Sequence, residues 1–355
     1  MKNKIIIISL FVAITLISLG ILLPKTLRNS YAVSTTFADT IMSLATTSAC
    51  NAGGTGVCAT NSYTDSGTAK YHDYRYRGSE PNNYVLFNNE LYRIIGVFDE
   101  NSHGVKGEYL VKLIIANQVF SFSWGAYNTT NTSGTYRNSK NDWTGNTTGV
   151  KANTNVILNE YFYNKTNTSS TYGTCSDWTY FSGSVKTFNC LNIIVHGMDS
   201  DFRNYIEEVT WYLNGYNSRE YSKQNFYLCE RGLSTDTTNC MSANSGAYDA
   251  STTSKIGLMY VSDYLYASSY YEDTATDNAS SRYYGNKNWL YKGYELTLTP
   301  QSDNDANIFI VNSASDIYTH KVHDSNSIRP SFYLKSNVIV TGGTGTFDDP
   351  YKLSM

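Results

Sequence analysis

The uncharged, mostly apolar run Ile5–Leu23 places the strongest constraint on how this chain can fold. Lys2 and Lys4 precede it, and a helical run of this length can span a hydrocarbon core of about 30 Å. Because positive residues stay on the cytoplasmic side, we expect the chain that follows to fold outside the cell. The sequence therefore predicts one N-terminal transmembrane helix, with the membrane contacted through residues 5–23.

Two interpretations of residues 1–32 remain open. A cleaved signal peptide has an apolar core of about 7–15 residues and a small-x-small cleavage site. Ser30-Tyr31-Ala32 offers such a site before Val33, but the apolar run is longer than a usual signal core. The sequence therefore favours a single-pass signal anchor with an extracellular domain, and a secreted protein is the alternative if the chain is cleaved near Ala32.

The composition also indicates an exported protein. Charged residues make up only 16% of the chain, which contains 32 tyrosines, so neutral polar residues keep the surface soluble. The net charge is −3 and no basic stripe is present. A nucleic-acid-binding surface needs clustered Lys and Arg, so we expect no nucleic-acid partner.

The six cysteines form three couples of sequence neighbours, and each couple closes a short loop rich in Gly, Ser, Thr or Asn. A disulfide stabilises a loop that cannot be held by core packing. The alternative, a metal site or free thiols, has less support because the spacings match no zinc signature. Export agrees with oxidised cysteines. The predicted disulfides are Cys50–Cys58, Cys175–Cys190 and Cys229–Cys240.

The pattern near the start of the exported part predicts a helix, a linker and a hairpin. Phe37–Leu44 has helical spacing, and the Gly/Ser/Thr-rich stretch Thr46–Lys70 is typical of a linker. We therefore assign residues 33–73 to a juxtamembrane helix and linker, and residues 74–355 to the extracellular domain. Two apolar runs around Asn88-Asn89 predict a β-hairpin.

Farther along, the pattern predicts strands, a central helical portion and more strands, which is typical of an α+β domain. Asp199–Asn214 is predicted as the clearest helix, capped by Ser200, and a shorter helix is expected at Asn155–Tyr163. The predicted strands are Tyr84–Phe87, Leu91–Phe98, Glu108–Asn117, Ile256–Val261, Tyr294–Leu298, Ile308–Asn312, Ile317–Val322 and Ser331–Val340.

Several blocks, in this order, resemble a family of uncharacterised exported proteins of Firmicutes and Mollicutes. The likeness covers about residues 74–353. The blocks that carry it are Tyr76–Gly78, Pro81–Val85, Leu91–Phe98, Gly257–Ala267, Trp289-Leu290, Leu298–Pro300, Phe309–Ser313, Ile328–Lys335, Gly343–Thr346 and Pro350-Tyr351.

The C-terminal layout is similar to the C-type-lectin-like fold, which formylglycine-generating-enzyme-like domains share. A strand ends in Thr299-Pro300, a hairpin follows, and Arg329-Pro330 leads the last strand. This resemblance implies a loop-rich α+β domain whose long loops present a ligand-binding surface. A fold of this kind does not by itself identify a ligand.

Two sets of residues are candidate sites. Tyrosine offers a large rigid contact area with a polar tip, so exposed tyrosines among loop residues predict a binding surface, although some fill the core. Asp303 and Asp305 at alternate positions either form a turn or contribute to a calcium site. The tyrosines are Tyr270, Tyr271, Tyr283 and Tyr284.

No catalytic motif for a serine hydrolase, a zinc protease or a phosphate-binding loop occurs in the sequence. The last cysteine is Cys240, so formylglycine generation, which needs late cysteines, is not expected. We therefore expect a non-enzymatic adhesion module that binds a glycan or a surface protein. The alternatives are a structural envelope component that binds cell wall or its own copies, and a degenerate hydrolase.

Overall fold

The computed structural model describes residues 35–60, 72–125, 140–146, 151–164, 195–218, 222–236, 238–240, 249–270 and 285–355. Residues Thr36–Met355 form one compact unit. The described part of the chain is mostly β-sheet with short helices, so the predicted α+β class is confirmed.

The elements are numbered in chain order. The helices are α1 Phe37–Ser43, α2 Thr47–Cys50, α3 Glu100–His103, α4 Asn153–Val156, the π-helix Ile157–Phe162, α5 Ser200–Arg203, α6 Lys223–Glu230, α7 Val261–Ala267 and the 3₁₀ turn Gly285–Lys287. The strands are β1 Gly56–Thr60, β2 Asp73–Arg77, β3 Tyr84–Phe87, β4 Glu90–Phe98, β5 Leu110–Ile115, β6 Phe120–Ser123, β7 Val209–Tyr212, β8 Ser251–Ser254, β9 Glu295–Pro300, β10 Asn307–Val311, β11 Ile317–Lys321, β12 Ser325–Ile328, β13 Ser331–Tyr333, β14 Ile339–Gly342 and β15 Lys352–Ser354.

The larger sheet is antiparallel and has the strand order β1-β2-β4-β5-β13, with β3 also paired to β4. Every residue of β5 is buried, because strands flank it on both sides. This result confirms the strand predicted within Glu108–Asn117. A second sheet has the order β11-β10-β9-β12-β6, and two ribbons pair β7 with β8 and β14 with β15.

The predicted hairpin is present, with β3 and β4 paired across Asn88-Asn89. Both turn residues have left-handed backbones, with φ of 53° and 59°. A two-residue hairpin turn of this type needs positive φ at both positions, and Asn tolerates that conformation better than most residues. The turn chemistry therefore fixes the register of the two strands.

The N-terminal segment of the compact unit packs into the core. Helix α1 confirms the predicted helix. The Thr36 hydroxyl accepts a hydrogen bond from the Asp39 backbone N–H, which caps its first turn, and Phe37 and Ile41 are buried one turn apart. Part of the predicted linker Thr46–Lys70 is regular structure instead. It contains α2 and β1, and β1 pairs with β2.

The predicted helix Asp199–Asn214 is wrong. Only the single turn α5 is helical, its N-cap is Asp199 rather than Ser200, and the chain then extends into β7. Val209 and Trp211 are buried while their neighbours are half-buried, which is the period-two pattern of a strand. β-Branched and aromatic residues favour strands when a partner strand is present. The partner, β8, lies far along the sequence.

The strand predicted at Ile256–Val261 is also absent. Gly257 forms one bridge to Ser331, and Val261 already begins helix α7. The Asp263 carboxylate accepts the backbone N–H of Tyr260 at 2.9 Å, which satisfies a donor at the helix start. The predicted Ser331–Val340 strand is divided into β13 and β14, whereas the strands predicted near β9, β10 and β11 are confirmed.

Helix α4 and the π-helix together confirm the short helix predicted near Asn155–Tyr163. Among the described residues, no helix has both the length and the apolar character needed to cross a membrane. The predicted span, residues 5–23, lies outside those residues.

Candidate functional site

A polar cleft of about 330 Å³ opens on the surface beside the π-helix and the β7–β8 ribbon. One wall contains Lys151, Asn155, Asn159 and Tyr163. The opposite wall contains the β8 residues Thr252, Thr253 and Ser254 together with Lys255, and Thr144 and Glu208 complete the lining.

The helical wall is held rigidly by its asparagines. Asn155 donates its amide N–H to the carbonyl of Trp143 at 2.9 Å. Asn159 bonds both backbone groups of Ile256, donating to its carbonyl at 3.0 Å and accepting from its N–H at 3.1 Å. The wall also includes the π-helix, a wide helical turn that often occurs at functional sites. These contacts set the position of Tyr163 relative to the opposite wall.

The opposite wall is formed by the β7–β8 ribbon. Strand β7 buries Val209 and Trp211, and the Trp211 indole N–H donates to the Ser254 carbonyl at 3.2 Å. Strand β8 contains only Ser and Thr, so its outer face is a row of hydroxyl groups. Within the described part of the chain, the hydroxyls of Thr252 and Thr253 make no hydrogen bond to protein, which leaves them to solvent or a ligand.

The cleft carries both signs of charge. The Lys151 amine lies 3.4 Å from the Glu160 carboxylate, and the Lys255 amine donates to the Ile206 carbonyl at 3.3 Å. Burial raises the pKa of Tyr163; the nearby Arg203 cation opposes this rise and the Glu208 carboxylate adds to it. The phenol is therefore a hydrogen-bond donor at neutral pH.

These groups suit a ligand that offers many hydroxyl and amide partners. Sites for small ligands combine contact area with a few placed polar groups, and here the tyrosine ring supplies area while hydroxyls, amides and amines supply directional bonds. A saccharide presents the complementary surface, because each ring has an apolar face and a rim of hydroxyls.

The strongest electrostatic interactions lie inside the core, in what we call the buried ionic cluster. Asp263 accepts from Arg75 at 3.0 Å and from Lys112 at 2.6 Å, and Arg75 also donates to Asp73 at 3.0 Å. The cluster continues in the Arg231–Glu230 pair at 2.5 Å. All six side chains, those of Asp73, Arg75, Lys112, Glu230, Arg231 and Asp263, are buried.

The cluster balances three cations against three anions, and the balance determines its ionisation. Burial alone would raise the pKa of Asp263, but the Lys112, Arg75 and Arg231 cations outweigh it and lower that pKa to about 2. Burial lowers the pKa of Lys112 to about 8, against the attraction of Asp263. Because the cluster is enclosed by the core, it cannot receive a dissolved ligand as the cleft can.

The predicted site residues lie outside the cleft. Tyr270 is 39% exposed and does not line the cleft, and Tyr271, Tyr283 and Tyr284 lie outside the described residues. Asp303 accepts from the Gln301 amide at 2.6 Å, and Asp305 forms an ion pair with Lys140. The structure therefore places the two carboxylates in one turn, each with a different partner.

No group of three or more His, Cys, Asp or Glu side chains that could hold a metal ion occurs among the described residues. The calcium site stays a prediction. Two of the predicted disulfides, Cys50–Cys58 and Cys229–Cys240, are confirmed. The third, Cys175–Cys190, lies outside the described residues.

Sequence reasoning missed the cleft because its residues are ordinary Asn, Thr, Ser and Lys in stretches typical of loops. The run Thr252–Ser254 offered one signal, since a strand made only of hydroxyl residues has no apolar face to bury. The pairing of β8 with β7 and the contact of Asn159 with Ile256 were needed to bring the walls together.

Searches of protein-family models, curated proteins and solved structures find no match to this chain.

Proposed function

We propose that this protein is a non-enzymatic binding module of the bacterial cell surface that recognises a glycan in the polar cleft. The observation that carries the proposal is the lining: a tyrosine ring, a row of hydroxyls, two amides and two amines converge on one cleft of about 330 Å³. This volume lies within the range of about 300–1,000 Å³ found for small-ligand sites.

The hydrogen-bonding state of the lining supports binding of a polar ligand. The amides of Asn155 and Asn159 are already bonded to backbone groups, so they act mainly as supports. In contrast, the hydroxyls of Tyr163, Thr252 and Thr253 have no protein partner in the described part of the chain. A ligand that pairs with them loses little when it displaces water.

The charge pattern favours binding over hydrolysis. Glycoside hydrolysis uses two carboxylates that flank the scissile bond. Glu208 is the one carboxylate among the described lining residues of the cleft. A lone carboxylate beside two amines can orient a ligand through hydrogen bonds without supplying an acid and base pair.

Export and the finer fold assignment belong to the same proposal. The apolar run at residues 5–23 and the confirmed local disulfides support a domain that folds outside the cytoplasm. The C-type-lectin-like arrangement is supported by β9 ending at Pro300, the β10–β11 hairpin and Pro330 directly before β13. Loops in that arrangement would present the ligand surface.

The test is binding of the purified full-length protein to an array of glycans and mucins. We expect Tyr163→Ala to weaken a hit about tenfold, which corresponds to ~1.4 kcal/mol of lost contact. The matched control is Tyr294→Ala, because Tyr294 is 49% exposed and does not line the cleft. Equal loss in both variants, or none in Tyr163→Ala, contradicts the assignment of the site.

A second arm of the experiment separates the remaining possibilities. The array is repeated with calcium and with chelator, and loss under chelator would support Asp303 and Asp305 as calcium ligands. A blank array, together with binding to purified cell wall, would instead favour a structural envelope component.

A further inference from the structure

Lys112 and Asp263 form the closest contact of the buried ionic cluster. The Lys112 Nζ atom lies 2.6 Å from Oδ2 of Asp263, and both side chains are fully buried. Arg75 donates to the other oxygen, Oδ1, at 3.0 Å, and the Tyr260 backbone N–H donates to Oδ2 at 2.9 Å. The amine and the carboxyl group are therefore held against each other in one orientation.

Aromatic rings surround the Lys112 amine. Its Nζ atom lies 4.6 Å from the ring centre of Tyr260, 5.0 Å from that of Trp211 and 5.4 Å from that of Tyr333. These rings and the fully buried strand β5 keep bulk water away from the pair. Charges in such surroundings are costly even when they are paired.

We propose that Lys112 and Asp263 condense into an intramolecular amide bond, which makes this pair a self-formed covalent cross-link. The ion pair holds all the atoms that are needed. Transfer of a proton from Nζ to Oδ2 gives an amine and a carboxylic acid, and Nζ then attacks Cγ. The Cγ–Oδ2 bond breaks, and Oδ2 leaves as water with two of the three ammonium protons. Oδ1 becomes the amide oxygen, and no oxidant or reductant takes part.

Arg75 is placed to assist this step. Negative charge builds on Oδ1 when Nζ adds to Cγ, and the Arg75 Nη1–H already points at that atom. A fixed donor at a developing oxyanion lowers the barrier, because it does not have to reorient during the reaction. Burial also lowers the pKa of Lys112 to about 8, which favours release of its proton, whereas the neighbouring cations that lower the pKa of Asp263 to about 2 oppose protonation of the carboxylate.

After condensation the positive and negative charges of the buried ionic cluster are still equal in number. Before condensation the cluster contains three cations, Arg75, Lys112 and Arg231, and three anions, Asp73, Asp263 and Glu230. The reaction removes one charge of each sign. Arg75 keeps its bond to Asp73, and Arg231 keeps its bond to Glu230. The amide therefore relieves the burial of two charges without leaving another charge unpaired.

The bond would join the central strand β5 to helix α7, across 151 residues of sequence. A cross-link that closes a long loop restricts the unfolded chain more than one that closes a short loop. The confirmed disulfides have sequence separations of only 8 and 11 residues. The proposed amide would thus provide a long-range covalent tie that the local disulfides do not.

The test is mass spectrometry of the full-length protein after denaturation, reduction and protease digestion. We expect a joined pair of peptides, one containing Lys112 and the other Asp263, lighter than their sum by one water molecule. An internal control is the ion pair of Lys140 and Asp305, which is partly exposed and should yield only separate peptides. Recovery of the Lys112 and Asp263 peptides unlinked from the folded wild-type protein overturns the proposal.

Two variants test which side chains form the amide bond. Lys112→Arg keeps the positive charge but should abolish the joined peptides. Asp263→Asn should give joined peptides of the same mass as the wild-type product, because ammonia leaves in place of water. A joined pair that persists in Lys112→Arg would show that another amine forms the link, which also overturns the assignment. The wild-type digest decides the question even if a variant fails to fold.

Discussion

His103 is expected to make this protein lose stability as the pH falls from about 6.5 to about 4. The side chain is fully buried at the end of helix α3. Its Nε2 atom lies 3.1 Å from the carbonyl oxygen of Phe98, and its Nδ1 atom accepts the backbone N–H of Val105 at 3.1 Å. The neutral ring with its proton on Nε2 satisfies both contacts. Protonation of Nδ1 would break the bond to Val105 and place a charge in the core.

The size of the effect follows from the pKa of His103. Burial lowers that pKa from 6.5 to about 4, against smaller opposing effects that include the Phe98 carbonyl and Asp99. Between these values the unfolded state binds more protons than the folded state, so stability falls as the pH falls. The contribution of the neutral His103 ring to stability is complete above pH 6.5 and is lost by about pH 4. The shift corresponds to about 3 kcal/mol of unfolding free energy.

The assay is urea unfolding of the wild-type protein and His103→Gln at several pH values. Gln does not titrate, so the difference between the two unfolding free energies should shrink by about 3 kcal/mol as the pH falls. Taking the difference removes the contributions of Glu230 and Glu295, which are the same in both proteins. Burial raises the pKa values of these two carboxyl groups, so their ionisation changes stability with pH in the opposite direction to His103. His323→Gln, at a turn position where the side chain is 30% exposed, is the control. A difference that stays constant with pH would refute the role of His103.

Three further outcomes test other parts of the structure. Glu295→Gln should lower the unfolding free energy by about 3 kcal/mol in urea denaturation, because Arg329 would keep a buried charge without its ionic partner. A loss below about 1 kcal/mol, as for surface pairs, would contradict this role of the buried ion pair. Asn159→Ala should cost about 2 kcal/mol and speed hydrogen exchange at the Ile256 backbone N–H, since it leaves that N–H unpaired and leaves the Ile256 carbonyl with only the Ser254 hydroxyl at 3.4 Å; unchanged exchange would argue against this contact. Peptide mapping without reductant should recover Cys175 joined to Cys190, and a crossed pairing would show that sequence proximity misled the assignment.

The sequence alone determined the features that depend on neighbouring residues. The hairpin at Asn88-Asn89 follows from two residues that tolerate positive φ between apolar runs. Helix α1 follows from a cap at Thr36 and an apolar spacing of one turn. The disulfides at Cys50 and Cys229 follow from short loops that bring each sulfur close to its partner. In each case the physical cause acts over about a dozen residues.

The tertiary structure decided everything that needs a distant partner. Residues Val209–Tyr212 are extended because β8 pairs with them, although the spacing of apolar residues around them favoured a helix. The cleft exists because the π-helix and the Ser/Thr strand meet there, and neither stretch is distinctive by itself. The buried ionic cluster joins Arg75 to Asp263 across 188 residues. A buried charge is tolerable only when the fold supplies its counterion, so no local pattern could have indicated this cluster.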